Sequence, residues 1–277
     1  MTNVFISIDM EGIAGIAHLN QVTRGQADYT AGRKLMVGEA NAAVEGAFDA
    51  GATRVVVNDS HGDMYNLIPE EMDPRAELTI GSPKLGGSMV QGIGEGFDVA
   101  LFIGYHAPPG TESAVLDHTY SGKNFHDVRL TGEPVTEAEL NALVAGSYGV
   151  PVGLVTGDDK ICALVEKSIP GAKTVVVKHA YGRHAARSLH PKEARAAIRA
   201  GVKEAVALAK AKELRPHVID GPYVFEVETR SSLGAELAAL APGTQRVGGR
   251  TVRFETDDLR EGFRCLLAWM YLSTSAP

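Results

Sequence analysis

Asp9 and Glu11 lie two residues apart in the run Ile6-Ser7-Ile8-Asp9-Met10-Glu11-Gly12. Val4 to Ile8 reads as a buried strand, and the two carboxylates arrive as it ends. Strand side chains alternate faces, so this spacing points both acids the same way. Two like charges on one face repel, and they call for a cation or for hydrogen-bond donors. Carboxylate oxygens are hard ligands that suit divalent ions. Acids at a strand end also act as turn formers or helix caps, so this pair alone does not decide the matter.

Two further apolar runs end in the same way. Thr53-Arg54-Val55-Val56-Val57 leads into Asn58-Asp59-Ser60-His61, and Val99 to Ile103 leads into Gly104-Tyr105-His106. Imidazole binds zinc through a neutral ring nitrogen, and carboxylates bind it through oxygen. Taken singly, His61 reads more simply as a loop cap and His106 as a donor to a backbone carbonyl. Together, three strand ends deliver Asp9, Glu11, His61 and His106. His118 follows in Leu116-Asp117-His118-Thr119. His18, His126, His179, His184, His190 and His217 sit in segments with no such pattern.

The elements that would carry these side chains alternate along the chain. A helical pattern over Tyr29 to Ala50 separates the first two strands. A short strand at Leu78 to Ile80 precedes the third, and further strands fall at Val152 to Val155 and Thr174 to Lys178. Strand–helix alternation predicts an α/β fold, a mainly parallel sheet with helices on both faces. In such sheets chemistry gathers at the carboxyl ends of the strands. Phe125 to Leu130 reads as a strand before the turn Thr131-Gly132-Glu133. Thr136 reads as an N-cap, placing Glu137 in the first helical turn.

After a helix over Lys192 to Lys212, Arg215-Pro216 and Gly221-Pro222 break the chain. The tail then reads β-α-β-β-α, with a hairpin across Gly248-Gly249 and a last helix over Asp257 to Ser273. Residues 1–214 are thus expected to form the catalytic α/β domain, and residues 215–277 a smaller C-terminal α+β subdomain.

Length and composition agree with an ordinary globular protein. The 277 residues are 44% hydrophobic and 22% charged, which permits a sizeable core. A net charge of −7 without a basic tract argues against a nucleic-acid or membrane-surface binder. Cys162 and Cys265 form no C-x-x-C pattern, so a reducing cytoplasm is the simplest setting. No signal peptide or membrane span is expected. Gly92-Ile93-Gly94-Glu95-Gly96 has the wrong spacing for dinucleotide binding, and there is no P-loop or nucleophile elbow.

Five blocks carry a family resemblance: Ser7-Ile8-Asp9-Met10-Glu11-Gly12, Val57-Asn58-Asp59-Ser60-His61, Leu101-Phe102-Ile103-Gly104-Tyr105-His106, Glu137-Ala138-Glu139-Leu140-Asn141-Ala142 and Val155-Thr156-Gly157-Asp158-Asp159. In order and approximate spacing they resemble the zinc D-aminopeptidases of the dipeptide-operon (DppA) type, over nearly the whole chain. The resemblance implies a two-zinc centre held by Asp9, Glu11, His61, His106 and Glu137, with Asp9 bridging. It implies that His118 is the catalytic histidine, acting as base, nucleophile or oxyanion stabiliser. It also implies a short peptide substrate with an N-terminal D-residue, and a large ring-shaped homo-oligomer, a decamer, with active sites facing an inner chamber. The segments from His106 to His118 and from His118 to Glu137 are slightly longer than the family pattern, which bears on substrate preference.

Two alternatives compete. A haloacid-dehalogenase-like phosphatase would use Asp9 as nucleophile and Asp158 and Asp159 on magnesium. It leaves His61 and His106 without a role, and magnesium prefers oxygen ligands. A non-catalytic dipeptide- or metal-binding protein would need the ligands but not His118. Asp158 and Asp159 also read as an N-cap, or as acceptors that orient a ligand histidine.

Overall fold

A computed structural model describes residues 1–274 of the chain. The strands are β1 (Asn3–Ile8), β2 (Arg54–Asp59), β3 (Glu77–Thr79), β4 (Val99–Tyr105), β5 (Phe125–Leu130), β6 (Glu133–Pro134), β7 (Val152–Asp158), β8 (Lys173–Gly182), β9 (Ala185–Ser188), β10 (Tyr223–Thr229), β11 (Gln245–Arg246) and β12 (Thr251–Thr256). The α-helices are α1 (Leu19–Val22), α2 (Tyr29–Asp49), α3 (Glu137–Ser147), α4 (Asp159–Ser168), α5 (Pro191–Lys210), α6 (Ser232–Ala238) and α7 (Leu259–Ser273).

The main sheet runs β3-β2-β1-β4-β7-β8-β9, parallel except for β9. β1 lies between β2 and β4, with Ile8 level with Asp59 and Ile103. The three strand ends that carry candidate ligands are therefore immediate neighbours. Strand alternation sends Val4, Ile6 and Ile8 to one core, where Met36 and Ala40 of α2 and Ile198 and Val202 of α5 meet them. Phe5, Phe102 and Val155 face the other core, with Leu140 of α3, Ile161 of α4 and the second sheet. Helices cover both faces, as the strand–helix alternation predicts. The large side chains here are fully buried, each contributing about 1.5–3 kcal/mol of transfer free energy.

The second sheet is antiparallel, in the order β11-β12-β10-β5-β6. The tail has the expected β-α-β-β-α order, and α7 buries Phe263, Leu266 and Trp269 against it. A division of the chain at residue 214 does not follow the sheets, however. β5 and β6 lie before that point, and β5 pairs with β10 through Val128–Val227 and Leu130–Phe225. The five-stranded sheet is completed by a hairpin from the middle of the chain, a long-range pairing that local periodicity does not encode. β9 is also new. Its antiparallel return onto β8 follows the short turn after Gly182.

Candidate metal centre

Asp9 and Glu11 stand just beyond β1, 2% and 4% exposed. Asp9 extends the sheet by one hydrogen bond, from its N–H to the Ile103 carbonyl at 2.9 Å. The chain then turns sharply against β4, where the Gly12 N–H donates to the Gly104 carbonyl at 2.7 Å. Two glycines allow this approach. A Cβ on Gly12 would lie 2.1 Å from the Tyr105 carbonyl oxygen. Gly104 has φ +72°, and a Cβ there would lie 2.5 Å from the Asp9 carbonyl oxygen. The loop after β2 is organised by Asp59, whose carboxylate accepts from the backbone of Asn66 and Leu67 at 2.5 and 2.8 Å. α3 starts at Glu137 because the Thr136 hydroxyl caps it, accepting from Glu139 N–H at 2.9 Å.

These elements bring all five expected ligands together. His61 Nδ1 lies 2.9 Å from Glu11 Oε2 and 3.2 Å from Asp9 Oδ1. His106 Nε2 lies 3.2 Å from Asp9 Oδ2 and 3.4 Å from Glu137 Oε2. The two Asp9 oxygens thus face different histidines, and Asp9 joins two half-sites. Asp9, Glu11 and His61 form one group of potential donor atoms. His106, Glu137 and His118 form another, and within each group the donors lie within 4.8 Å of one another.

The backbone sets the histidine tautomers. His61 Nε2 lies 2.7 Å from the Val22 carbonyl and His106 Nδ1 lies 3.1 Å from the Ala107 carbonyl, so these nitrogens donate. The opposite nitrogens, Nδ1 of His61 and Nε2 of His106, then turn lone pairs toward the carboxylates. His106 Nε2 is a buried nitrogen without a hydrogen-bond partner, despite its proximity to Asp9 and Glu137. A lone pair facing carboxylate oxygens is unsatisfied unless a proton or cation lies between them. The donor set, imidazole nitrogen with carboxylate oxygen, fits zinc.

The electrostatics agree. Burial raises the Asp9 carboxyl, but the adjacent His106 and His61 imidazoles outweigh it and hold Asp9 well below the usual range. Burial likewise opposes ionisation of Glu137, and the adjacent His106 holds it low. Burial would neutralise the two imidazoles, but Glu11 and Asp9 around His61, and Glu137 and Asp9 around His106, push both well upward. The cluster thus favours positive charge at its centre, whether carried by protons or by a metal.

His118 stacks on His106, with ring centroids 4.0 Å apart and planes 11° from parallel. Its Nδ1 lies 2.8 Å from the Leu116 carbonyl, and its Nε2 is 3.8 Å from Glu137 Oε1. At 20% side-chain exposure it is the most open of these residues. Two cavities meet at the site. One, of about 530 Å³, is bordered by Glu11, His61 and His118, with Arg24, Lys123 and Arg183 at its walls. The other, of about 370 Å³, reaches Asp9 and Glu137 past Met64, Met89, Tyr120 and Met270. His61, Gly62, Asp63, His118 and Lys123 border both.

Asp158 and Asp159 are occupied elsewhere. Asp158 caps α4 through Lys160 and Ile161 N–H, both at 3.0 Å, and its other oxygen accepts from Val115 N–H at 2.9 Å. Asp159 accepts from Ala180 N–H at 2.8 Å. The N-cap role holds for Asp158, and neither acid accepts a hydrogen bond from a ligand histidine. The phosphatase alternative loses its magnesium ligands to these backbone contacts. Asp158 does support the site indirectly, because Val115 leads into the His118 segment.

Sequence reasoning missed a buried polar chain beneath the centre. Ser60 Oγ lies 2.6 Å from Ser7 Oγ, which lies 2.7 Å from the Tyr105 hydroxyl. Asn141 Nδ2 donates to that hydroxyl at 3.0 Å and the Tyr120 hydroxyl donates to Asn141 Oδ1 at 2.7 Å. Its members come from β1, β4, α3 and the loops bearing His61 and His118. The one local signal was a polar residue, Ser7, inside an apolar strand.

The family model for D-aminopeptidases (peptidase M55) matches residues 2–268. A D-aminopeptidase of Bacillus subtilis (strain 168) is 37% identical over 273 residues, covering 98% of this chain and 97% of that protein. The solved structure of the Zn-dependent D-aminopeptidase DppA from Bacillus subtilis, described as a self-compartmentalizing protease, superposes with a TM-score of 0.91. Its identity is 35%, with 99% of each chain covered. On its sequence, its fold and its full-length correspondence to these proteins, this chain belongs to the D-aminopeptidase family of peptidases, M55.

Proposed function

We propose that the protein is a zinc-dependent aminopeptidase that removes an N-terminal D-residue from short peptides, with two zinc ions per chain. Asp9, Glu11 and His61 would hold one ion, and Asp9, His106 and Glu137 would hold the other. The observation that carries this reading is Asp9 itself, each oxygen of which faces a different histidine–carboxylate pair. Bound zinc supplies Lewis acidity, polarising the scissile carbonyl and lowering the pKa of a coordinated water.

The chain's own residues do the rest. Glu11 and Glu137 are committed as ligands, which leaves His118 for proton transfer. With Nδ1 donating to Leu116, the His118 ring presents Nε2 to the site, where it accepts or returns a proton. Its Leu116 contact and its stacking on His106 fix the plane of the ring. In the larger cavity Arg24 and Arg183 are paired with Asp63 and Asp117, so Lys123 is the cation it offers a peptide carboxylate, and the methionines of the smaller cavity offer an apolar side chain a surface to pack on.

The chain assembles into a closed homo-oligomer, a reading supported by the self-compartmentalizing description of the solved relative, and a ring-shaped decamer is the form that the family resemblance implies. The cytoplasm is its setting, supported by two free, buried cysteines. Among the described residues, no helix is long and apolar enough to cross a membrane.

The test is a metal-quantified assay over paired D- and L-aminoacyl dipeptides. D-alanyl dipeptides are cleaved by the zinc form, not after chelation, and again after zinc is restored. A zinc-loaded protein inert toward all short peptides would overturn the reading.

A further inference from the structure

Two buried lysines have no part in the metal cluster itself. Lys178, 1% exposed on β8, donates from Nζ to the carbonyls of Glu11, Ile13 and Ile16 at 2.5, 2.9 and 2.6 Å. Lys84, 6% exposed, donates to Asn58 Oδ1, the Asp59 carbonyl and the Thr79 carbonyl at 2.8, 2.6 and 3.1 Å. An ammonium has three N–H donors, so each of these is saturated by uncharged oxygens. Among the described residues, the lysines paired with carboxylates are Lys160 and Lys173, both partly exposed.

A cation buried without a direct counter-ion is expensive, and an apolar side chain of similar volume is often the more stable choice. What these two gain is control of backbone. Lys178 gathers three carbonyls of one turn, the turn that begins at Glu11. Lys84 holds the carbonyl of Asp59, two residues before His61. Glu11 and His61 belong to the same half-site. The other half is held by different means: His106 through its contact with the Ala107 carbonyl, and Glu137 through the Thr136 cap and the Tyr120 N–H, 2.6 Å from Oε1.

We propose that Lys178 and Lys84 are positioning residues that brace the Glu11–His61 half-site and leave the His106–Glu137 half-site independent of them. The proposal rests on the two-zinc reading above. It makes the two metal positions unequal. The affinity of the braced one depends on two cations, distant in sequence, that never touch metal or substrate.

The experiment measures zinc stoichiometry and the two dissociation constants by competition with a chromophoric chelator, for wild type, Lys178→Met, Lys84→Met and Glu11→Gln. Each methionine variant weakens one zinc by about tenfold or more, the scale expected for residues that orient ligands. The second zinc stays within about threefold, and Lys178→Met adds nothing further in a Glu11→Gln background, as expected when one interaction carries both effects. A residue needed only for stability would lower the melting temperature and weaken both ions alike. The proposal is overturned if either methionine variant weakens both zincs equally or neither. Lys84→Met decides this by itself if Lys178→Met does not fold. A wild-type chain that binds fewer than two zincs overturns the two-zinc reading instead, and is recognised before any variant is compared.

Discussion

The rings of His106 and His118 lie face to face, 4.0 Å between centroids, yet their nitrogens have different surroundings. His106 Nε2 is sealed between Asp9 and Glu137, whereas His118 Nε2 stands 3.8 Å from Glu137 at the junction of two cavities. On the proposed reading the first ligates a metal and the second exchanges protons with a bound molecule.

His118→Ala therefore keeps its zinc and loses turnover. The expected fall in kcat is about 10²–10⁴-fold, the usual share of a positioned general acid–base. Zinc per chain is measured alongside. Full activity with full zinc removes His118 from the chemistry, and loss of one zinc makes it a ligand.

Gly12→Ala breaks the centre from outside the ligand set. Its Cβ would press to 2.1 Å from the Tyr105 carbonyl, and backbone cannot yield as a side-chain tip can. The turn carrying Glu11 must lift away from β4, at a stability cost of about 2 kcal/mol or more. Thermal unfolding and zinc titration both report it. An unchanged melting temperature with two zincs bound rejects this account of the turn.

Glu39 supplies a pH dependence away from the metal ligands. Burial pushes its carboxyl up to about 7, against a backbone hydrogen bond from Ala14 and the charges of Lys178 and Arg195, which pull it down. Its folded pKa exceeds its ordinary one. The native state therefore takes up a proton between about pH 4.5 and 7 that the unfolded chain lacks. Its contribution is fully present below that window and is lost as pH rises through 7. The loss is on the order of 3 kcal/mol. Glu39→Gln removes this slope and raises stability at pH 8 relative to wild type. Parallel stability–pH curves for the two proteins would contradict the assignment.

Lys123 borders both cavities and forms no ion pair among the described residues. Lys123→Met raises KM for a D-alanyl dipeptide with a free carboxylate by about tenfold, with kcat within about threefold, as loss of uniform binding requires. The same change leaves the dipeptide amide unaffected. Equal losses on acid and amide show that Lys123 does not read the carboxylate.

Metal removal is expected to destabilise the fold as well as silence it. Stripped of cations, three buried carboxylates and two imidazoles must settle their charge by protons alone. A thermal scan shows a lower midpoint after chelation, recovered on zinc addition in proportion to the logarithm of free zinc. A midpoint indifferent to zinc would mean that the metal does not bind the folded state preferentially.

Residue order alone determined much of this protein. Apolar runs broken by Asp9, His61 and His106 marked three strand ends, and Thr136 marked the helix that presents Glu137, because strand alternation and capping are local and repeat in the sequence. The donor types also named the metal, since imidazole beside carboxylate suits zinc more than magnesium. Tertiary structure decided the rest. Only the strand order, with β1 between β2 and β4, makes the three ends neighbours. Only the packed loops assign Glu11 to His61 and Glu137 to His106, and turn a given nitrogen of each ring inward. The same holds for Lys178, which reads as the polar end of a strand until its ammonium meets a turn 162 to 167 residues away. A chain's periodicity records which face each residue takes. It carries no record of which distant backbone oxygens that face will meet, and those contacts hold the ligands in place.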